Sequence, residues 1–98
     1  MKLVATGGIC SGEDIAKSIA LGADITAIAG KILKPAQKSK GALFESISNI
    51  VLELKYCMLL TGTKSIDELK KANVVICGQT KEWLEARGHN ISNFARRA

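Results

Sequence analysis

Apolar residues in the first third of the chain form two short unbroken runs separated by one amphipathic segment. Leu3-Val4-Ala5-Thr6 and the run from Ile25 to Ala29 show no polar–apolar alternation. Both therefore read as strands covered on both faces, the habit of parallel sheets. Between them Ser11 is placed to cap a helix, with Asp14 three residues later in its first turn. Ile15, Ile19 and Ala20 share one face of that helix, with Ala16 at its edge and Glu13 and Lys17 outside. Gly22 supplies the stop. Strand, helix and strand in this order predict a right-handed parallel crossover.

Beyond Gly30 the stretch KILKPAQKSKGA, with Pro35 and Gly41, reads as a linker. A long helix is predicted over 43–60, with Leu43, Ile47, Ile50, Val51, Leu54 and Met58 as a wide apolar stripe and Thr61-Gly62 as its end. Ser65 and Glu68 form a capping box for a short helix running through Lys71. Val74 to Cys77 is extended, and Thr80 is placed to cap a last short helix containing Trp83 and Leu84, which Gly88 ends. The stretch 89–98 has no period and is predicted to be mobile. The chain thus divides into a strand-helix-strand unit over 1–35, a long amphipathic helix within 36–62, and short helices with a tail over 63–98. Two parallel strands do not make a sheet that stands alone, since both edges and one face stay open. The pattern reads as a piece of a larger α/β fold.

Composition narrows the picture modestly. The 98 residues suit one domain, and only one Trp, one Tyr and two Phe are present, so the core is aliphatic. Fourteen basic residues against nine acidic give +5, a balance that tolerates anionic partners without naming one. Lys31, Lys34, Lys38 and Lys40, with Lys70-Lys71 and Arg96-Arg97, are scattered rather than interleaved with aromatics, which argues against a nucleic-acid surface. Cys10, Cys57 and Cys77 have no paired metal spacing. With no signal peptide in view they read as reduced thiols of a cytoplasmic protein. No run reaches the roughly 20 apolar residues of a membrane helix.

The candidate chemistry lies in the glycines. Gly7-Gly8 after the first strand and Ala29-Gly30 after the second let a ligand approach the backbone closely. Free amides at the ends of adjacent parallel strands, with a helix N-terminus beside them, suit a phosphate. The spacing GGICSG is not the G-x-G-x-x-G dinucleotide fingerprint. Asp24 precedes the second strand rather than ending it, which suits a strand start better than a ribose ligand.

ATGGICSGEDIAKSIALGADITAIAGKILKPA resembles strands seven and eight of the flavin-binding (β/α)8 barrels. LLTGTKSIDELKKANVVICGQTKEWLEARG is similar to the C-terminal end of the FMN-dependent type 2 isopentenyl-diphosphate isomerases. That resemblance implies an α/β fold: the C-terminal fragment of a TIM barrel, its last two βα units plus C-terminal helices. Carried over residue by residue, it makes Thr6, Gly7, Gly8, Ala29 and Gly30 the contacts of the FMN phosphate, with no catalytic or metal-binding residue in this stretch. Cys10 departs from the family pattern, which has Arg after GGI; Lys31 is a partial substitute, and a small loop-filling residue is the favoured reading of Cys10. The family implies Mg2+, NADPH and isopentenyl diphosphate as well, with the flavin ring, the substrate diphosphate and the Mg2+ held mainly by loops of earlier strands. The resemblance therefore implies a chain inactive alone, completed by another chain or by self-association. Inosine-monophosphate dehydrogenases, hydroxyacid oxidases and glutamate synthases share the two glycine elements. A fragment of another such phosphate-binding barrel, or a non-catalytic self-associating α/β module, remains the alternative.

Overall fold

The computed structural model describes residues 1–97. Two strands, β1 (Val4–Ala5) and β2 (Ile25–Thr26), flank the helix α1 (Gly12–Ala20), and five more helices follow: α2 (Gly30–Lys38), α3 (Lys40–Thr61), α4 (Ile66–Lys70), α5 (Gly78–Ala86) and α6 (Ser92–Ala95). The strands pair in parallel, Val4 opposite Ile25 and Ala5 opposite Thr26. This is a mixed α/β arrangement containing the expected strand-helix-strand unit, with shorter strands. Asp24 ties the unit together: its Oδ2 accepts from Leu3 N at 2.9 Å and its Oδ1 from Lys70 Nζ at 2.6 Å. The Lys70 ammonium, then the Leu3 amide, hold the Asp24 carboxyl below the usual carboxylate range.

Local signals set the helix ends. Ser11 Oγ accepts from Asp14 N at 3.2 Å, and Asp14 Oδ2 accepts from Cys10 N at 3.0 Å. Ser65 and Glu68 repeat this device: Ser65 Oγ accepts from Glu68 N, and Glu68 Oε2 accepts from Lys64 N. Helix α1 stops in a Schellman pair, Ala23 N on Ser18 O and Gly22 N on Ile19 O. Thr63 N on Met58 O and Gly62 N on Leu59 O end α3 in the same way.

Three expectations are corrected. The segment read as a linker is helical: α2 runs through Pro35, and Ser39, whose Oγ accepts from Ala42 N, caps α3 before the expected start. Helix α2 survives its proline, which forfeits one intrahelical bond, because it packs along α3. The last helix begins at Gly78 with Cys77 as its N-cap, one turn ahead of the Thr80 expected there. The predicted mobile tail carries α6. Val74 N donates to Phe94 O at 2.7 Å, while Arg97 donates to the carbonyls of Ala72 and Ala20 and lies over the Phe94 ring.

The core is a seam between α1, α3 and α4. Ala16, Ile19 and Leu69 form its buried centre, packed against Ile15, Leu54, Cys57, Met58 and Ala72. Gly12 decides how close α1 comes to α3: an added Cβ would lie 2.5 Å from Glu53 Cβ and closer still to the Leu54 backbone nitrogen. The expected stripe on α3 is split. Ile50 is buried and Leu43, Leu54 and Met58 half-buried, but Ile47 and Val51 are exposed together with Phe44, Leu52, Tyr56, Leu59 and Leu60.

The other side of the molecule is bare. Leu3, just before β1, is 50% exposed, and Val4 and Ile25 on the strands are 56% and 60% exposed. The chain exposes 7328 Å², whereas a folded monomer of its 10.4 kDa mass exposes about 5,400 Å². Its radius of gyration, 15.3 Å, likewise exceeds the ~13 Å of a compact chain near 100 residues.

Candidate functional site

The two glycine-bearing loops follow β1 and β2. Because the strands are parallel and paired, both loops leave the sheet at the same end. Gly7 and Gly8 take φ of +85° and +81°, a region that side chains with a Cβ enter only with strain. That conformation turns the chain sharply between β1 and α1. The second loop turns directly into α2 at Ala29-Gly30.

Together the loops border a half-open cavity of about 250 Å³. All five residues singled out in the sequence line it: Thr6, Gly7, Gly8, Ala29 and Gly30. Ile9, Cys10, Ala27 and Lys31 complete its wall. Thr6 Oγ1 donates to Ala27 O at 3.4 Å, a long bond that links one loop to the other. Cys10 turns its thiol inward onto its own loop, Sγ donating to Gly8 O at 3.4 Å. Its amide is taken by Asp14. The amides of Gly30 and Lys31 precede the first intrahelical bond of α2 and are open to a ligand.

Electrostatically the cavity wall is simple. Lys31 is the one ionisable side chain on it apart from the Cys10 thiol, and no carboxylate lines it. Turned backbone amides, a helix start and a single ammonium group suit an anion with several acceptor oxygens. The volume falls below the ~300–1,000 Å³ of pockets that enclose drug-sized ligands.

Sequence reasoning missed Gly12 and the α2 helix start. Gly12 is the first residue of α1, so nothing in its local sequence signals the close approach to α3 that its missing Cβ permits. Nothing local announced α2, since Ala29 has no side chain with which to cap it. Among the described residues, groups of three or more metal-ligating side chains are absent and no helix is long and apolar enough to cross a membrane.

Comparison with known proteins gives the site its context. The chain is 42% identical over 92 residues to the isopentenyl-diphosphate delta-isomerase of Sulfurisphaera tokodaii, covering 94% of this chain and 25% of that protein. Its counterpart in Methanothermobacter thermautotrophicus is 40% identical over 96 residues, covering 98% of this chain and 28% of the relative. The Halobacterium salinarum protein of the same name is 41% identical over 85 residues, 87% of this chain and 24% of the relative. The chain thus spans about a quarter of the length of the curated relatives it matches. The model of the FMN-dependent dehydrogenases matches residues 1–76, from β1 through α4 and into the extended segment that carries Val74. The glycine loops and the cavity they border fall wholly within that match, and the chain belongs to the FMN-dependent dehydrogenase family.

Proposed function

We propose that this chain is the C-terminal part of an FMN-dependent type 2 isopentenyl-diphosphate isomerase, the last two βα units of a (β/α)8 barrel with their C-terminal helices. In this reading it contributes the FMN phosphate site and catalyses nothing by itself. One observation carries the reading: both glycine loops, separated by a full βα unit in sequence, border a single cavity free of carboxylates. The names of the relatives supply the substrate, isopentenyl diphosphate.

The residues present fit the phosphate end of FMN. Amides of Gly7, Gly8, Ile9 and Gly30 would donate to its oxygens, Ala29 leaves the approach unobstructed, and Thr6 holds the two loops in register. The cavity is too small to enclose the flavin ring as well, so the ring, the substrate and any Mg2+ or NADPH belong to strands outside these residues. When bound, FMN supplies the acid–base chemistry of the double-bond shift. The part of this chain is to anchor and orient it.

The exposed surface supports the dependence on further strands. The excess over a self-contained monomer, about 1,900 Å², exceeds the ~800 Å² that each partner buries in a standard interface. The same excess favours a second reading, a self-associating α/β module whose copies cover one another. Native mass spectrometry of the 98-residue chain with FMN and riboflavin tests both. FMN retention without riboflavin retention, and no isomerase turnover, is the expected result; failure to retain FMN overturns the phosphate reading, and turnover by the chain alone overturns its dependence on missing strands. A single symmetric oligomer without flavin would favour the module.

A further inference from the structure

Helix α3 is apolar on more sides than its neighbours cover. Leu54, Cys57 and Met58 face the seam with α1 and α4, and Ala42, Ser46 and Asn49 border the groove shared with α2. On the remaining side Phe44, Ser48, Val51, Lys55 and Leu59 recur at steps of three and four residues, with Leu52 beside them, and all are exposed. A helix apolar all round is an interior helix, so this side calls for a cover. The charges of α3 point the same way. Its first residue is Lys40, with no acid in the first turn and no base in the last, so neither end of its dipole is offset by its own turns.

We propose that the cover is a second copy of this chain, docked through the same side of α3 with the two helices antiparallel about a two-fold axis between Val51 and Leu52. In that register Phe44 faces the partner's Leu59, Val51 the partner's Leu52, and Ser48 the partner's Lys55, so the polar side chains of this side meet each other. Lys40, Gly41, Leu43, Phe44 and Ile47 line a largely apolar groove of about 470 Å³ at one end of the helix. Leu59, 74% exposed at the other end, fills that groove in the partner, and the two-fold axis makes the contact twice. Antiparallel pairing also brings Lys40 to the negative end of the partner's helix. The surface this chain exposes beyond a folded monomer of its mass, about 1,900 Å², is more than the ~800 Å² that each partner buries in a standard interface. The inference names the surface of self-association and does not rest on the phosphate reading, since no residue of α3 lines the cavity between the glycine loops.

Sedimentation equilibrium of the 98-residue chain is expected to show a dimer in the micromolar range. Val51→Glu is expected to raise its dissociation constant about a hundredfold or more, because the pairing buries each new carboxylate unpaired. Asn49→Glu, which adds the same charge on the α2 side, is expected to change nothing. The register is read by oxidation of chains in which Cys10 and Cys77 are replaced by Ser. A mixture of Phe44→Cys and Leu59→Cys chains is expected to give a cross-linked pair, and Phe44→Cys alone none, whether or not Val51→Glu folds. A monomeric wild-type chain, an undiminished dimer in folded Val51→Glu, no cross-link in the mixture, or a cross-link in Phe44→Cys alone each overturns the proposal. FMN retained by a monomer overturns it while leaving the phosphate reading intact, and a cross-linked dimer without FMN does the reverse.

Discussion

The seam between α1, α3 and α4 and the exposed aliphatic residues of β1, β2 and α3 are built from the same kinds of side chain with opposite results. Along the seam, Ile19 and Leu69 are buried and Gly12 brings two helices nearly backbone to backbone. On the other face Val4 and Ile25, directly paired across the strands, remain more than half exposed. The difference teaches where apolar surface is covered and where it is left open: the seam is packed between three helices, while the strands carry a single layer of apolar side chains facing solvent. The cavity lies at the end of the open side, on two loops that the closed side holds in place through α1.

Substitutions separate the two regions by size of effect. The largest is expected for Gly12→Val, because the new Cβ meets backbone atoms of α3 that cannot yield; a loss above about 3 kcal/mol, or failure to fold, should appear in urea denaturation. Leu69→Ala, at the buried centre of the seam, should cost about 2–4 kcal/mol in the same measurement. Gly8→Val meets no atom within 4 Å, so its cost is backbone strain alone, about 1–3 kcal/mol, with FMN retention lost while circular dichroism stays native-like. Ile25→Thr lies on the open face and should shift stability by only about 0.5 kcal/mol, yet weaken any assembly that covers the strands, measurable as a change in sedimentation.

Asp24 sharpens the comparison through pH, since it joins the N-terminal strand to α4. Its pKa is lowered in the folded chain by Lys70 and the Leu3 amide. The bond therefore stabilises the fold above the unfolded Asp pKa, about 3.9, and that stability is lost as pH falls through the lower folded value. Asp24→Asn should remove this component and flatten the acid limb of the stability curve, while leaving the slope near neutral pH unchanged.

Short-range chemistry was legible in the sequence where a side chain or a glycine carries it. Ser11, Ser65, Gly22, Gly62 and Gly88 each mark a helix end because capping and left-handed turns are decided within a few residues. The five cavity residues were legible for the same reason, since each loop announces itself by small residues after an apolar run. Helix α2 was not legible: Pro35 and the lysines argue against it locally, and its support comes from α3. Nor could periodicity tell which apolar side of α3 would be covered, because apolar residues occur nearly all around it and only the packing of α1 and α2 against it decides that Ile50 is buried and Val51 exposed.

The sequence by itself determined the strand-helix-strand order, the helix stops, and the small residues of the two loops, since local sterics and hydrogen bonding suffice for these. Tertiary structure alone decided that the loops share one cavity, that α2 presents Lys31 there without a carboxylate beside it, and that the tail folds back through Phe94 and Arg97. Those outcomes depend on distances between segments far apart in the chain, which only packing can fix.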